Sequence, residues 1–432
     1  MSAAVEQRPT GRATKSTVAA WAIWDWAGQP FNSVMLTFVF GPYIAGAVAA
    51  DKETGQAALS GAQTIAGIIV AILAPMVGVW ADRVRDRRLV LWLSNLVVIA
   101  AVAACWFVEP QQRYLALGAG LLALGTVFQE IGSVFYFGML PGLTTKQTIG
   151  RLSGLGWGLG YLSGVVCLVV VVFGFVGEDN LLGLSTANGL NFRAIALFCA
   201  AWMLVFSIPM LLWGPVAEPS RHTDRFNPLT AYVEVGRQIL DLWRRARSTL
   251  QFLIASAVYR DGLAAVFSLA GVLATTAYGF SADEVIYFGL AANVIAGIGA
   301  WVLGQADDRL GPKPVIVGSL VIMLIAGTVI VLVPSKLVFW VGGLVISSLV
   351  GAVQSASRSL LGRVAPPEHV NTIFGLYQTI GRAASFIAPG LIWIFTVTLG
   401  VRLGIVGILL TLALGLVLVL FVRIPGVTTR SR

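Results

Sequence analysis

The chain carries GVWADRVRDRR at residues 78–88 and a looser copy, GQADDRLGPK, at residues 304–313. Each copy follows the second long apolar segment of its half of the chain. A basic turn that recurs at corresponding places indicates an internal duplication of a membrane-embedded half. Duplicated membrane halves are typical of secondary transporters, in which the solute binds near mid-membrane between the repeats. The repeat therefore predicts two similar helical halves with a site between them.

The composition belongs to a membrane protein. Of 432 residues, 57% are hydrophobic and only 11% are charged, whereas soluble domains carry about 25% charged residues. The net charge of +9 comes without a basic and aromatic nucleic-acid module, so no nucleic-acid partner is expected. Cys105, Cys167 and Cys199 lie inside apolar runs, and His222 and His369 lie in polar segments. We therefore expect no metal site and no cofactor.

Twelve apolar runs are long enough to cross the membrane, which takes about 20 helical residues each. The sequence thus predicts an all-α membrane protein with twelve transmembrane helices in two six-helix bundles. The predicted domains are an N-terminal bundle at 1–213, a cytoplasmic linker at 214–248 and a C-terminal bundle at 249–432. The predicted spans lie near residues 18–47, 58–81, 89–108, 114–140, 151–177, 193–213, 249–276, 284–304, 314–333, 337–361, 371–398 and 402–422.

The distribution of Lys and Arg predicts the orientation. With both termini on the inner side, the inner loops hold 22 of the 29 basic residues and the outer loops hold five. By the positive-inside rule, both termini are then cytoplasmic in a multi-pass protein of the cell membrane. In the linker, Leu229, Val233, Gly236, Leu240 and Trp243 form one helical stripe, which favours a helix lying on the inner leaflet. A solvated linker is the alternative.

Five ionisable residues stand out within predicted spans, where each charge costs about 2.5–3.5 kcal/mol on insertion scales. Asp25 and Asp261 occupy related positions in spans 1 and 7 of the two repeats. The five residues are Asp25, Glu130, Arg260, Asp261 and Arg382.

Polar neighbours at helical spacing extend these positions into stripes. Gln29 and Asn32 share a face with Asp25, and Gln378 shares a face with Arg382 in span 11. One interpretation is that the stripes line a water-filled cavity, where carboxylates bind a cation or carry a proton and arginines hold a carboxylate or phosphate. The other interpretation is structural ion pairing between helices.

The two basic turns resemble the loop signature of the major facilitator superfamily, Gly-x-x-x-Asp-Arg-x-Gly-Arg/Lys. In the first copy Arg85 replaces the second glycine. The resemblance implies that the Asp and Arg of each turn latch the inner gate, so we expect them to control conformation and not to touch solute. The predicted gating residues are Asp82, Arg83, Asp308, Arg309, Lys313 and Arg358.

A narrower resemblance covers nearly the whole chain. WAIWDWA at 21–27, YRDG at 259–262 and QSASRSLLGRVAPP at 354–367 are similar to segments of the vacuole-effluxer-like branch of this superfamily. FGLY at 374–377 and GRAASF at 381–386 extend the likeness. Fungal members of that branch export amino acids released by autophagy. The chain departs from the branch at Gly28-Gln29 and at Leu140-Pro141-Gly142, which leaves open a different solute.

The resemblance and the stripes together predict a monomeric transporter that works by alternating access. We expect export of an amino acid or similar small zwitterion, with Arg382 facing its carboxylate and Asp25 or Asp261 facing its ammonium group. Protons are a further expected partner, carried by Asp261 or Glu130. The alternative is efflux of hydrophobic or drug-like compounds against aromatic walls. A membrane enzyme or receptor is a remote third reading, because no phosphate loop or metalloprotease motif is found.

Overall fold

The computed structural model describes residues 13–84, 86–176, 180–216, 228–366 and 369–423. Arg85 and Pro367 lie outside the described residues, as do His222 and several terminal and linker arginines that were counted for the orientation. Within the described ranges, the regular secondary structure consists of helices without strands.

Twelve helices are long and apolar enough to cross a membrane, which confirms the predicted all-α fold of twelve transmembrane helices. Pro228–Arg245 forms a further helix between spans 6 and 7, called the linker helix below. In order, spans 1 to 12 are Lys15–Val48, Lys52–Arg83, Arg87–Phe107, Gln112–Leu143, Ile149–Phe175, Ala187–Trp213, Arg247–Tyr278, Ala282–Leu310, Pro312–Leu332, Lys336–Val364, Val370–Leu399 and Gly404–Phe421.

Ordinary capping signals set several helix ends. Asp51 accepts a hydrogen bond from the Thr54 amide at 2.8 Å and begins span 2. Ser281 and Glu284 form a capping box at the start of span 8. Lys336 lies 2.9 Å from the Glu284 carboxylate. These short, well-capped connections hold sequential spans next to one another.

Buried apolar residues gather in three clusters that follow the two halves. Two clusters consist of buried residues from spans 1 to 6, and the third is built from spans 7 to 12 and the linker helix, with Val79 of span 2 joining it. Between the halves, span 5 packs along span 8 and span 2 packs along span 11. The exact domain limits at 213 and 249 stay a prediction.

The linker helix is amphipathic, and one face packs on the protein. Ala231 and Val235 are buried where the linker helix packs on spans 2 and 7, while Val233, Leu240 and Trp243 are each more than half exposed. The linker helix thus presents the stripe expected from the sequence away from the protein. It also marks one end of the molecule, called the linker end below, where the connections between even-numbered and following odd-numbered spans lie.

Two spans depart from regular α-helix beside the interface of the halves. Span 1 contains Pro30 and then widens to π-helical hydrogen bonding over Phe31–Phe38. Span 11 is interrupted after Ala384, and a second helix resumes at Ile387. Such breaks inside a membrane are tolerated where protein or a polar cavity satisfies the freed backbone groups. Both breaks lie close to the cavity described next.

Candidate functional site

A cavity of about 430 Å³ lies between the two halves. Its walls come from spans 1 to 5 on one side and spans 7, 10 and 11 on the other. Its polar lining residues are Asp25, Gln29, Asn32, Gln63, Asn95, Thr126, Gln129, Glu130, Ser133, Arg260, Gln354, Arg358, Gln378 and Arg382. Seven of the eight residues predicted to bind solute or ions therefore line one cavity, and Asp261 is the exception.

Glu130 links the two halves near the centre of the cavity. Its Oε1 lies 2.5 Å from Arg382 Nη2, and its Oε2 accepts a hydrogen bond from Gln378 Nε2 at 2.5 Å. Gln378 Nε2 also donates to Ser133 Oγ at 2.8 Å. Glu130 and Arg382 both stay partly exposed. The carboxylate and the guanidinium thus form an ion pair that water or solute can reach.

Arg260 also lines the cavity, but its surroundings differ from those of Arg382. Its guanidinium stacks over the Tyr377 ring with 3.8 Å between Cζ and the ring centroid. Nη2 donates to Gln378 Oε1 at 3.0 Å and Nη1 to the Tyr377 carbonyl at 3.3 Å. In the described part of the chain, no carboxylate forms an ion pair with Arg260. Its charge is therefore available to an anionic group of a solute.

Arg358 and Asp25 form the floor of the cavity towards the linker end. Arg358 Nη1 lies 3.5 Å from Asp25 Oδ2, while Nε and Nη2 donate to the Ser153 hydroxyl and carbonyl at 2.9 and 2.7 Å. The Tyr136 hydroxyl donates to Asp25 Oδ2 at 2.8 Å. The Arg358 side chain is only 1% exposed. These contacts join span 10 of the second half to spans 1, 4 and 5 of the first.

Asp261 was predicted to bind solute or ions, but it does not line the cavity. Its Oδ2 accepts a hydrogen bond from the Ala388 amide at 2.6 Å, at the start of the helix that resumes in span 11. The first amides of a helix have no partner within it, so a carboxylate there satisfies a donor and stabilises the helix dipole. The sequence misleads here because Asp261 follows Arg260 directly and hence points to a different side of span 7.

Asp82 closes the linker end between spans 2 and 11. Its two carboxylate oxygens accept hydrogen bonds from the backbone amides of Asn371 and Thr372 at 2.9 and 3.0 Å. Asn371 Nδ2 and Thr372 Oγ1 donate to the same oxygens, each at 2.7 Å. Asp82 at the end of span 2 thereby caps the start of span 11 across the interface.

Asp308 repeats this arrangement in the other half. Its Oδ1 accepts a hydrogen bond from the Gly150 amide at 2.8 Å, at the start of span 5. Arg363 holds both acids of the second basic turn, with 2.9 Å to Asp307 and 3.4 Å to Asp308. The two basic turns therefore each cap a helix of the opposite half, and the duplication extends to the contacts that close the linker end.

The other predicted gating residues have separate roles. Arg83 forms an ion pair with Glu234 of the linker helix at 2.5 Å. Lys313 donates to the carbonyls of Leu420 and Val422 at 3.1 and 2.6 Å and so completes the end of span 12. Arg309 is exposed and forms no ion pair within the described ranges. Asp82 and Asp308 thus join the two halves, whereas Arg83 pairs with the linker helix and Lys313 stays within the second half.

Several site residues escaped the sequence reasoning. Tyr136, Ser153 and Trp157 surround Arg358, and Arg363 holds the second basic turn. The sequence suggests Trp157 only as part of the aromatic walls in the alternative function, and Tyr136, an aromatic residue in an apolar span, gives no signal by composition alone. Arg363 could have been found, since it lies five residues after Arg358 near the same end of span 10. Among the described residues, no group of three or more His, Cys, Asp or Glu is placed to hold a metal ion.

The exposure of the lining residues shows on which side the cavity opens. Arg358 and Tyr136, towards the linker end, are 1% and 2% exposed. Asn32, farther along span 1 towards the opposite end, is exposed and also lines the cavity. The cavity is therefore closed at the linker end and accessible from the other end.

The sequence has relatives among known proteins. Residues 57–426 match the family described as vacuole effluxer Atg22 like. The uncharacterized MFS-type transporter YxiO of Bacillus subtilis is 25% identical over 390 residues, which are 86% of each chain. Autophagy-related protein 22-1 of Aspergillus niger is 23% identical over 272 residues. That match covers 57% of this chain and only 42% of the fungal protein.

Solved structures show the same fold. The major facilitator transporter FucP in the outward conformation aligns with a TM-score of 0.69 and 14% identity, covering 95% of this chain and 98% of FucP. The human organic anion transporter MFSD10 aligns with a TM-score of 0.70 and 14% identity, covering 94% and 99%. A bacterial homologue of ferroportin in the outward-facing state aligns with a TM-score of 0.67 and 12% identity, covering 94% and 98%.

Proposed function

Because the chain belongs to the vacuole effluxer Atg22-like family of major facilitator superfamily transporters, we propose that it exports a small zwitterion such as an amino acid. The relatives and structural neighbours are transporters and not enzymes, so membrane transport itself is the premise. What the proposal adds is the solute class, the direction and the residues that bind the solute.

The observation that carries the proposal is that charges of both signs face one cavity. Asp25 and Glu130 supply two negative groups, and Arg260, Arg358 and Arg382 supply three positive groups. A solute with one ammonium and one carboxylate group finds a partner for each end in such a cavity. Arg260 and Arg382 suit the carboxylate, because a guanidinium binds a planar anion with two parallel hydrogen bonds.

Alternating access is the mechanism that best fits the geometry. Asp82 and Asp308 close the linker end, while the exposed Asn32 marks the open side. Solute release on the other side then requires that both aspartates leave the helix ends they cap and that the halves rock. If the linker end is cytoplasmic, as the Lys and Arg distribution predicts, the structure corresponds to an outward-facing transporter in the cell membrane.

Proton coupling through Glu130 is part of the proposal. Glu130 lies in the cavity and pairs with Arg382 across the halves, so protonation removes an ion pair that holds the halves together. Asp261 is the weaker candidate, since its carboxylate is engaged at a helix start away from the cavity lining. The export direction rests on the effluxer description of the family.

Efflux of hydrophobic compounds is the second candidate. Trp24, Phe137 and Trp157 line the cavity and supply aromatic surface. Against it, a cavity with five charged side chains favours a charged solute over a neutral apolar one, because an unpaired charge is costly beside an apolar ligand.

Counterflow into proteoliposomes tests the proposal. Vesicles with purified protein are loaded with one unlabelled amino acid at a time, and uptake of labelled zwitterion is measured with and without a pH gradient. We expect accumulation of at least one labelled amino acid, no accumulation of its decarboxylated amine, and a gradient effect that disappears in Glu130→Gln. Arg113→Gln, which changes a mostly exposed residue at the start of span 4, is the matched control. Transport restricted to lipophilic cations would instead support the second candidate.

A further inference from the structure

Arg358 is a positive side chain that the second half inserts into a pocket of the first half. The pocket is formed by side chains of spans 1, 4 and 5 and is called the socket. Its members are Trp21, Asp25, Tyr136, Phe137, Ser153 and Trp157.

Four aromatic rings surround the guanidinium in the socket. The distances from Arg358 Cζ to the ring centroids are 5.0 Å for Trp21, 5.2 Å for Phe137, 5.5 Å for Tyr136 and 5.8 Å for Trp157. Aromatic faces attract a cation within about 6 Å of the ring centroid, and more strongly when the site is shielded from water. Together with the Asp25 carboxylate, the rings form a site for a positive group.

The socket loses its cation whenever the linker end opens. Arg358 belongs to span 10, whereas every member of the socket belongs to the first half, so rocking of the halves draws them apart. Within the described part of the chain Arg358 is the charged partner of Asp25, and separating this partly buried carboxylate from its partner is unfavourable. The Tyr136 hydroxyl remains beside Asp25 but brings no charge. Opening at the linker end is therefore favoured when another cation takes the place of Arg358.

The cavity provides access for such a cation. Asp25, Tyr136, Phe137 and Trp157 belong both to the socket and to the cavity lining. A positive group that enters with the solute can thus reach the same rings and the same carboxylate that Arg358 contacts. Ammonium and guanidinium groups are the cations that such a combination recognises.

We propose that the socket binds the cationic group of the solute and that Arg358 is a tethered competitor for it. The inference rests on the transport proposed above and narrows the solute to molecules with an ammonium or guanidinium group. While the cavity is empty of solute, Arg358 fills the socket and holds the linker end closed. A solute cation that displaces Arg358 frees span 10 and favours opening of the linker end.

Removing the competitor tests this directly. Binding of n-butylammonium to purified protein is followed by tryptophan fluorescence, since Trp21 and Trp157 line the socket. In Arg358→Gln we expect an affinity roughly tenfold higher than in the wild type, or about 1.4 kcal/mol. Arg358→Lys keeps a competing cation and should stay near the wild-type affinity. An Arg358→Gln protein that elutes and melts like the wild type but binds the amine equally or less tightly overturns the proposal.

A second measurement uses the native arginine. Ser355 is 1% exposed at the interface of the halves, and its carbonyl accepts a hydrogen bond from the Ser153 hydroxyl. Maleimide labelling of Ser355→Cys then reports opening of the interface. We expect n-butylammonium to accelerate labelling several-fold and butyrate to leave the rate unchanged, and we expect Asp25→Asn to abolish the acceleration. Equal effects of the amine and the acid contradict a cation site.

The outcomes separate this inference from the proposed function. Counterflow of an amino acid without any effect of n-butylammonium on labelling or binding removes the socket as the ammonium site and leaves zwitterion transport in place. If n-butylammonium gives the expected binding and labelling results but no zwitterion shows counterflow, the socket is supported and an amino acid is excluded as the solute.

Discussion

If the solute is the proposed zwitterion, its carboxylate competes with Glu130 for Arg382, and its ammonium group competes with Arg382 for Glu130. The pair spans the two halves and is accessible, so it contributes little to the stability of the fold. Its importance lies in binding, because a carboxylate of the solute must share Arg382 with Glu130. The same holds for Gln378, whose amide group donates to Glu130 and accepts from Arg260.

Substitution of either partner should change affinity in opposite directions. Glu130→Gln frees Arg382 and should lower the KM for a carboxylate-bearing solute about two- to fivefold, the range of an exposed ion pair. Arg382→Gln removes a charged donor worth about 1.5–3 kcal/mol and should raise the KM about 10- to 100-fold. Initial rates of counterflow at varied solute concentration measure both. Lys336→Gln, which breaks an ion pair far from the cavity, is the control, and parallel changes in both variants would contradict the competition.

Sequence patterns pointed to residues that line the cavity, because the membrane makes polarity costly. Asp25, Glu130 and Arg382 were identifiable because an ionisable group within a span needs a partner or a cavity. Tyr136 was not, since aromatic residues occur throughout apolar spans without any function. The place of Asp261 depended on which side of span 7 faces span 11, and helical spacing alone does not determine the rotation of a helix about its own axis.

At the level of elements, the close approach of spans 5 and 8 decides whether the linker end can close. A Cβ atom added at Gly154 would lie 2.4 Å from the Ala300 carbonyl oxygen and 3.0 Å from Gly304 Cα. A Cβ at Gly299 or Gly351 would likewise meet backbone atoms of a neighbouring helix. Small residues are typical of membrane helices whose backbones touch. Span 5 thus carries glycines where it meets the opposite half.

Gly154→Leu should hold the linker end open. The side chain cannot fit between spans 5 and 8, so the halves must separate there while each half keeps its own core. We expect Ser355→Cys to be labelled about tenfold faster in this variant. A tenfold change in the equilibrium between the closed and the open linker end corresponds to about 1.4 kcal/mol. Gly120→Leu is the matched control, because nothing lies within 4 Å of a Cβ at Gly120. Unchanged labelling in Gly154→Leu would show that the glycine contact is not part of the gate.

For the whole molecule, the two sides of the cavity should become accessible in alternation. Leu36 lines the cavity on its open side, and Ser355 is buried at the interface. In vesicles, a transported solute should slow maleimide labelling of Leu36→Cys while it accelerates labelling of Ser355→Cys. Both follow one equilibrium between two states. The native cysteines Cys105, Cys167 and Cys199 are buried, so the unsubstituted protein supplies the background rate. Labelling that rises on both sides together would contradict a two-state motion.

The overall architecture was predictable because length and hydropathy alone separate twelve spans and a central polar segment. The interruption of span 11 after Ala384 was not, since the residues from Ala384 to Ile387 continue a helical pattern. Nor does sequence periodicity indicate which side of a two-state transporter is closed. That depends on contacts between the halves, such as the caps made by Asp82 and Asp308.

The capping of helix starts by Asp82 and Asp308 has a consequence for genetics. A salt bridge can be lost through either partner and restored by a compensating change on the other side. Besides its ion pairs with Arg363 and Arg151, Asp308 binds the Gly150 backbone amide, and an amide is the same whatever residue is encoded there. No substitution at the start of span 5 can therefore replace the amide contact of a lost Asp308. Suppressors of Asp308 variants should therefore map to positions that stabilise the closed linker end elsewhere, such as the contacts of Arg358 or Asp82.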